Sequence, residues 1–293
     1  MERLNFMIKE KKFLSVKDHS VSQEEFQLLY NEDYKMLETF PKPNTEELPN
    51  YYHSEDYISH TDSKRNVFEK TYQFIKRISL KRKLKLINAF AFNEKNLLDV
   101  GCGTGDFLQI AQKDSWNITG VEPNKKARAI ANRKTNNKVF NLDKLHELQK
   151  ESFQIITLWH VLEHIYDLNE LIKTIKGLLK QEGAIIIAVP NYLSYDANHY
   201  KEFWAAYDVP RHLWHFSKES IKILFQDFNM HIEEIKPMLF DAFYVSLLSE
   251  KYKSNKMNVF KAFLIGAYSN IRAIRSKEYS SLIYVIRNNN KSN

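Results

Sequence analysis

The stretch Asn96-Leu97-Leu98-Asp99-Val100-Gly101-Cys102-Gly103-Thr104-Gly105-Asp106-Phe107-Leu108 constrains this chain more than any other. A short apolar run enters three glycines within five residues and leaves into a helix-forming sequence, in a chain that has only 7 glycines in all. Glycines so spaced let the backbone turn sharply. They also leave room for a ligand to lie against main-chain N–H groups, with a helix N-terminus behind them. The rest of the chain is read as what holds, completes or covers that loop.

From Asn96 onward, strand and helix patterns alternate. Strands are expected at Asn96–Val100, Asn117–Glu122, Lys138–Asn141, Phe153–Trp159 and Ala184–Val189. Helices are expected between them at Asp106–Lys113, Lys125–Thr135, Leu145–Gln149 and Asp167–Lys180. Short apolar strands with intervening helices imply an α/β fold, a Rossmann-like, mostly parallel sheet with helices on both faces. Ligands of such sheets bind outside the carboxyl ends of the strands, where the glycine loop stands. A polar and aromatic insert, 190–216, interrupts the alternation. A helix (Ser217–Phe228) and a strand (His231–Met238) resume it, a helical insert follows over 241–276 (Asp241–Lys253 and Val259–Arg275), and Ser280–Arg287 reads as a seventh strand. Residues 288–293 read as a frayed tail.

Ahead of the loop, residues 1–63 form a poorly periodic appendage with strand-like pieces at Lys12–Val16 and Phe26–Tyr30, and residues 64–95 supply one or two lead-in helices. The N-terminus has no long apolar run after its charges, and no stretch approaches the roughly 20 apolar residues of a membrane span. No secretory signal is expected and the cytoplasm is the expected compartment. A single cysteine excludes an internal disulfide and a multi-thiolate zinc site. The net charge of +7 is concentrated at Lys76–Lys85 and in the C-terminal region. Solvated helix faces account for these clusters, since no aromatic-interleaved RNA-binding signature accompanies them, although the helix at 76–85 could touch an anionic surface.

A glycine loop after a first strand serves either a dinucleotide or S-adenosylmethionine. The dinucleotide fingerprint is G-x-G-x-x-G, and here Asp106 stands where its third glycine would be, a carboxylate poorly placed beside a pyrophosphate. S-adenosylmethionine carries no phosphate, and its sulfonium and ammonium groups tolerate acids such as Asp99. Leu98–Gly105 resembles motif I of the class I S-adenosylmethionine-dependent methyltransferases. Gly120-Val121-Glu122-Pro123 resembles the acidic end of their second strand, and Phe153–Ile165 resembles the fourth-strand motif of the ubiquinone-biosynthesis-like branch. The resemblance covers about Asn96–Asn191, within a methyltransferase domain expected over 96–288. The appendage resembles a zinc ribbon of some relatives, but Tyr30 and Asp33 fill a Cys-x-x-Cys position, so no metal is expected there.

The resemblance implies S-adenosylmethionine as cofactor, with Asp99 meeting its ammonium group and Glu122 its ribose hydroxyls. Gly101, Cys102, Gly103, Gly105, Phe107 and Asn124 would line the loop, Leu142 and Asp143 the adenine, and Trp159 and His160 the methionine end. Transfer to a hydroxyl needs a base, and histidine suits that task. His160 and His212 are the candidates, with Asp208 to orient a histidine. Trp204, Tyr207, Arg211 and His212 are expected to meet a small or conjugated acceptor that is methylated on oxygen or carbon. His160-Val161-Leu162-Glu163-His164 also matches an inverted zincin pattern, which needs a long helix where a strand is expected to end. A divalent metal at His160, Glu163 and His164 is weighed for the same turn, and no metal is expected. RNA methylation, a non-catalytic adenosylmethionine-binding protein and an oxidoreductase stand as alternatives. The acceptor and the oligomeric state are not legible.

Overall fold

A computed structural model describes residues 11–52, 67–91 and 94–289, with the side chains of 67–72 left aside. In chain order the elements are β1 (Lys11–Lys17), β2 (Glu25–Asn31), β3 (Met36–Phe40), α1 (Val67–Ala89), β4 (Asn96–Val100), α2 (Asp106–Lys113), β5 (Asn117–Val121), α3 (Lys125–Thr135), β6 (Val139–Phe140), β7 (Phe153–Trp159), α4 (Leu168–Leu178) and β8 (Leu179–Pro190). Then come α5 (Tyr195–Tyr200), β9 (Trp214–His215), α6 (Lys218–Gln226), β10 (Met230–Pro237), α7 (Asp241–Ser254), α8 (Val259–Ser276) and β11 (Ser281–Asn288). The expected boundary at 63/64 and residues 290–293 of the expected tail lie outside the described residues.

Two compact units divide the chain. One, drawn from 67–91, 94–189, 225–237 and 282–289, carries a seven-stranded sheet in the order β10-β11-β8-β7-β4-β5-β6. Strands β4 to β8 pair in parallel and β10 with β11 antiparallel, so the sheet is the mostly parallel, Rossmann-like one expected from the alternation. Its central strands β4, β7 and β8 are buried, mainly apolar runs because both faces are covered, whereas the edge strand β10 alternates between buried or half-buried and exposed residues. Leu97, Ile155, Ala184 and Ile186 join Phe107 and Leu108 of α2 and Leu86 and Ile87 of α1 in one core.

Most expected element ends shift by a residue or two, and three differences have an evident cause. The helix read to Lys180 stops at Leu178, because Leu179 already pairs with Phe153 and starts the long strand β8. The helix expected at Leu145–Gln149 is a 3-10 turn over Leu142–Glu147, too short to bury a helical face. The tail is ordered further than expected: Asn288 completes β11, and the Asn289 amide donates to the Asn229 carbonyl at 3.2 Å.

The other unit is drawn from 11–52, 190–224 and 238–281, the stretches read as appendage, insert and helical excursion. Its four-stranded sheet runs β1-β2-β3-β9 and includes β3 and β9, which the sequence pattern did not reveal. The two-residue strand β9 joins through Leu37↔His215 and Glu38↔Trp214. At the β2–β3 turn the Asn31 side chain accepts the amides of Asp33 and Tyr34 at 3.1 and 3.0 Å. Packing, with Val16, Phe26, Leu28 and Leu37 against Trp204 and Tyr207, holds this unit together. Among the described residues, no helix is long and apolar enough to cross a membrane.

Candidate functional site

The glycine loop joins β4 to α2 as a left-handed turn, with φ of 68°, 55° and 76° at Gly101, Gly103 and Gly105. Other residues adopt such angles at a cost, and glycine does not. The amides of Gly101 and Cys102 both donate to the Val121 carbonyl, at 2.8 and 3.1 Å, which fastens the loop to the end of β5. A methyl group on Gly105 would come within 2.9 Å of Ala131, whereas one on Gly103 would meet nothing within 4 Å. Gly105 is therefore small for packing, and Gly103 borders open space: a cradle at the carboxyl end of the sheet.

Two acids flank that cradle. Glu122, just past β5, is buried, and its oxygens accept the amides of Gly103 and Asn124, each at 2.8 Å. Burial is the largest influence on it and raises its pKa against those two bonds. Asp99 near the end of β4 is 2% exposed and accepts the Thr157 hydroxyl at 2.6 Å from the adjacent strand β7. Burial pushes its pKa up to about 7, only partly offset by the Thr157 bond and the charge of Lys83, while Glu122 adds to the rise. A carboxylate so placed gains from a cationic ligand. The Cys102 thiol has its pKa pushed well up by burial and further by the charges of Asp99 and Glu122. It is protonated and packs beside Gly120, so it is no nucleophile.

At the end of β7, Trp159 stands edge-on to Phe107 with ring centroids 5.6 Å apart. Its indole nitrogen is buried and has no hydrogen-bond partner among the described residues, an orphan donor of the kind a ligand oxygen satisfies. Lys83 of α1 sets its ammonium 4.2 Å from the center of the same ring. His160 follows at φ 57°, an uncommon angle for a side chain this large, its amide bonded to the Ala188 carbonyl at 2.9 Å. Its Nδ1 lies 3.3 Å from an oxygen of the buried Glu163. This turn is a strand end followed by a 3-10 turn over Leu162–His164, and it lacks the long helix that an inverted zincin requires. Asn124 caps α3, its side-chain oxygen accepting the amides of Lys126 and Ala127 at 3.0 Å. Leu142 and Asp143 open the 3-10 turn after β6, where Asn141 donates to Asp143 at 2.8 Å.

Asp106, the residue that departs from the dinucleotide fingerprint, has partners that the sequence reading did not identify. Lys76 of α1 and Lys134 of α3 each lie 2.7 Å from its carboxylate. Burial would raise its pKa, but the two ammonium groups outweigh burial and hold it below the usual range. The signal for Lys76 and Lys83 was present in the spacing. Both fall on the helical stripe of Leu80 and Ile87, which faces the core, so two of the clustered cations point inward.

Trp204, Tyr207, Asp208, Arg211 and His212 belong to the other unit. Trp204 and Tyr207 are core residues, 1% and 2% exposed, and the Trp204 indole donates to Asp196 at 2.7 Å. Arg211 is buried among acceptors: Asp18 at 2.9 Å, Asp208 at 2.8 Å, the Tyr51 carbonyl at 2.9 Å and the Ser20 hydroxyl. Burial works against the charges, yet the guanidinium holds the Asp18 carboxyl far below the usual range. His212 has Nδ1 2.9 Å from the Ala206 carbonyl and Nε2 3.9 Å from Asp208.

The profile of a family described as a methyltransferase domain matches residues 43–235. A ubiquinone biosynthesis O-methyltransferase of Actinobacillus pleuropneumoniae serotype 7 is 27% identical over 108 residues, covering 33% of this chain and 46% of the relative. The chain spans about half the length of the curated relatives it matches. Among solved structures, magnesium protoporphyrin IX methyltransferase of Synechocystis, with bound S-adenosylhomocysteine, superposes with a TM-score of 0.55 at 13% identity, over 84% of this chain and 100% of that one. Geranyl diphosphate C-methyltransferase of Streptomyces coelicolor superposes with a TM-score of 0.53 at 14% identity, over 79% and 88%. Both superpositions speak for the fold.

Proposed function

Since the chain belongs to the methyltransferase-domain family, we propose that it transfers a methyl group from S-adenosylmethionine to a small or conjugated acceptor, at oxygen or carbon. The observation that carries this reading is the pair of buried acids, Asp99 and Glu122, flanking an open glycine cradle. A pyrophosphate would be repelled by both. A ligand with a cationic end and a ribose diol suits them.

When bound, S-adenosylmethionine supplies a methyl carbon already activated by its sulfonium leaving group. Glu122 accepts the ribose hydroxyls with the lone pairs that the Gly103 and Asn124 amides leave over. Asp99 takes the ammonium group, while Lys83 and the Trp159 indole take the carboxylate at the same end. Gly101, Cys102, Gly103 and Gly105 form the backbone wall beside Phe107, and Leu142 and Asp143 border the adenine. His160, held by Glu163, removes the acceptor's proton. His212, oriented by Asp208, is the second candidate for that step, and Trp204, Tyr207 and Arg211 are the frame that holds the insert. Alignment and exclusion of water supply most of the remaining acceleration.

Calorimetric titration with S-adenosylhomocysteine and with nicotinamide dinucleotides tests the ligand. Tight binding of the former is expected, weakened about a hundredfold in Glu122→Ala. Preference for a dinucleotide would sink the reading. Comparing metabolites with and without the protein, for pairs differing by one CH2 unit, identifies the acceptor. With it in hand, His160→Ala and His212→Ala separate the two base assignments: the true base loses turnover by about a hundredfold or more with cofactor affinity held.

A further inference from the structure

Helix α8 is built inside out. Its inward face is Ala262, Gly266, Ser269 and Ala273, all buried, and a methyl group on Gly266 would come within 3.0 Å of the Ala242 carbonyl of α7. These small residues let the two helices approach closely. The large apolar residues therefore project the other way. Phe260, Phe263, Leu264, Ile271 and Ile274 are between 50% and 74% exposed, and at 100° per residue they fall on one stripe about 21 Å long. Scattered exposed apolar residues need no explanation, but a continuous stripe does.

The charges beside the stripe identify what covers it. Arg272 and Arg275 are exposed along one edge, and α8 contains no Asp or Glu at all. Lys256 precedes the helix and Lys277 caps its end, both exposed. Pairing the same face of two copies would bring like charges together with no carboxylate on either helix to relieve them. A surface that is apolar inside and anionic outside matches both features.

We infer that α8 is a monotopic docking helix that seats this protein on an anionic lipid bilayer, apolar stripe in the acyl boundary and cations at the headgroups. The proposal is independent of the methyl-transfer reading. It puts a membrane contact on α8; in the cluster at 76–85, Lys76 is engaged with Asp106 and Lys83 lies over Trp159.

Co-sedimentation of the full chain with phosphatidylcholine vesicles, with and without roughly one-third phosphatidylglycerol, tests this. Binding at least about tenfold stronger to the anionic vesicles is expected, lost between about 0.1 and 0.5 M NaCl. Ile271→Ser with Ile274→Ser should cut it about tenfold, and Arg272→Glu with Arg275→Glu should erase the preference for phosphatidylglycerol. All four side chains are exposed, so unchanged circular dichroism and melting are expected of both variants. The proposal is overturned by absent or lipid-indifferent binding, by variants that bind as the parent does, or by a dimer in sedimentation velocity that the same substitutions dissolve.

Discussion

Replacing Asp99 by Asn separates what the buried acid does for the fold from what it does for a ligand. Its pKa in the folded chain is about 7 against an ordinary 3.8. Between those values the folded chain holds a proton that the unfolded chain has released, so stability falls as pH rises through that window. Above pH 7 the full cost of ionising the buried group is present, at most about 4 kcal/mol for a shift of this size. Asn keeps an oxygen for the Thr157 hydroxyl and carries no charge. At pH 8 the variant should therefore be more stable by ~2–4 kcal/mol, several degrees in melting temperature, and the advantage should shrink toward pH 5. Ligand binding moves the other way. A cationic group beside Asp99 selects the carboxylate, so parental affinity for S-adenosylhomocysteine should fall about tenfold per pH unit below pH ~7, and the variant should bind weakly with no such slope. Melting curves and calorimetry at matched pH values read both effects. A variant that is less stable at pH 8, or parental affinity that is flat from pH 5 to 8, refutes the argument.

Gly103→Ala should cost the fold only about 1 kcal/mol or slightly more, since its left-handed angle is strained for alanine but its methyl group meets nothing. Cofactor affinity should nonetheless drop at least about tenfold, measured by calorimetry, because the methyl group would occupy the cradle. Arg211→Ala takes the guanidinium away from the buried Asp18 and the half-buried Asp208 carboxylates and should destabilise its unit by roughly 3–5 kcal/mol in denaturant titrations. Asp18 has a depressed pKa in the fold, so its contribution is present above its ordinary value and is lost as pH falls toward the lowered one. Single substitutions Lys76→Ala and Lys134→Ala should each cost under about 1 kcal/mol, as both pairs are partly exposed. The double substitution should exceed their sum in a thermodynamic cycle, because Asp106 then has no cation beside it.

What could be read in the sequence follows from how local its cause is. The glycine loop, β4, α2, α3 and β7 were legible to the residue because each is set by its own apolar period and by turn or cap residues beside it, such as Gly105 and Asn124. The start of β8 was not, because Leu179 leaves the helix to meet Phe153, a partner outside any local window. The same holds for β3, whose neighbour β9 is two residues long and far along the chain. At the site, Asp99 and Glu122 stood out by position, but the acceptors around Arg211 come from Asp18, Ser20 and Tyr51, which no spacing connects to it. Lys76 and Lys83 were hidden by assuming that a charge run is a solvated face; their register with Leu80 and Ile87 carried the contrary information.

The pairing of Pro237 with Leu282 has an evolutionary and practical corollary. Everything between them, including α7 and α8, departs from and returns to a single rung of the β10–β11 ladder. Such an excursion is topologically a hairpin loop, however long, and the ladder closes without it. Lineages could lengthen or trim it without disturbing the β10–β11 ladder, and a graft with a two-residue turn in its place should keep that ladder and the glycine cradle while removing the lipid-seeking helix, together with the packing of Val245 and the Ser249 bond to the Ala205 amide. Sheet and excursion can thus be inherited, and engineered, as separable parts.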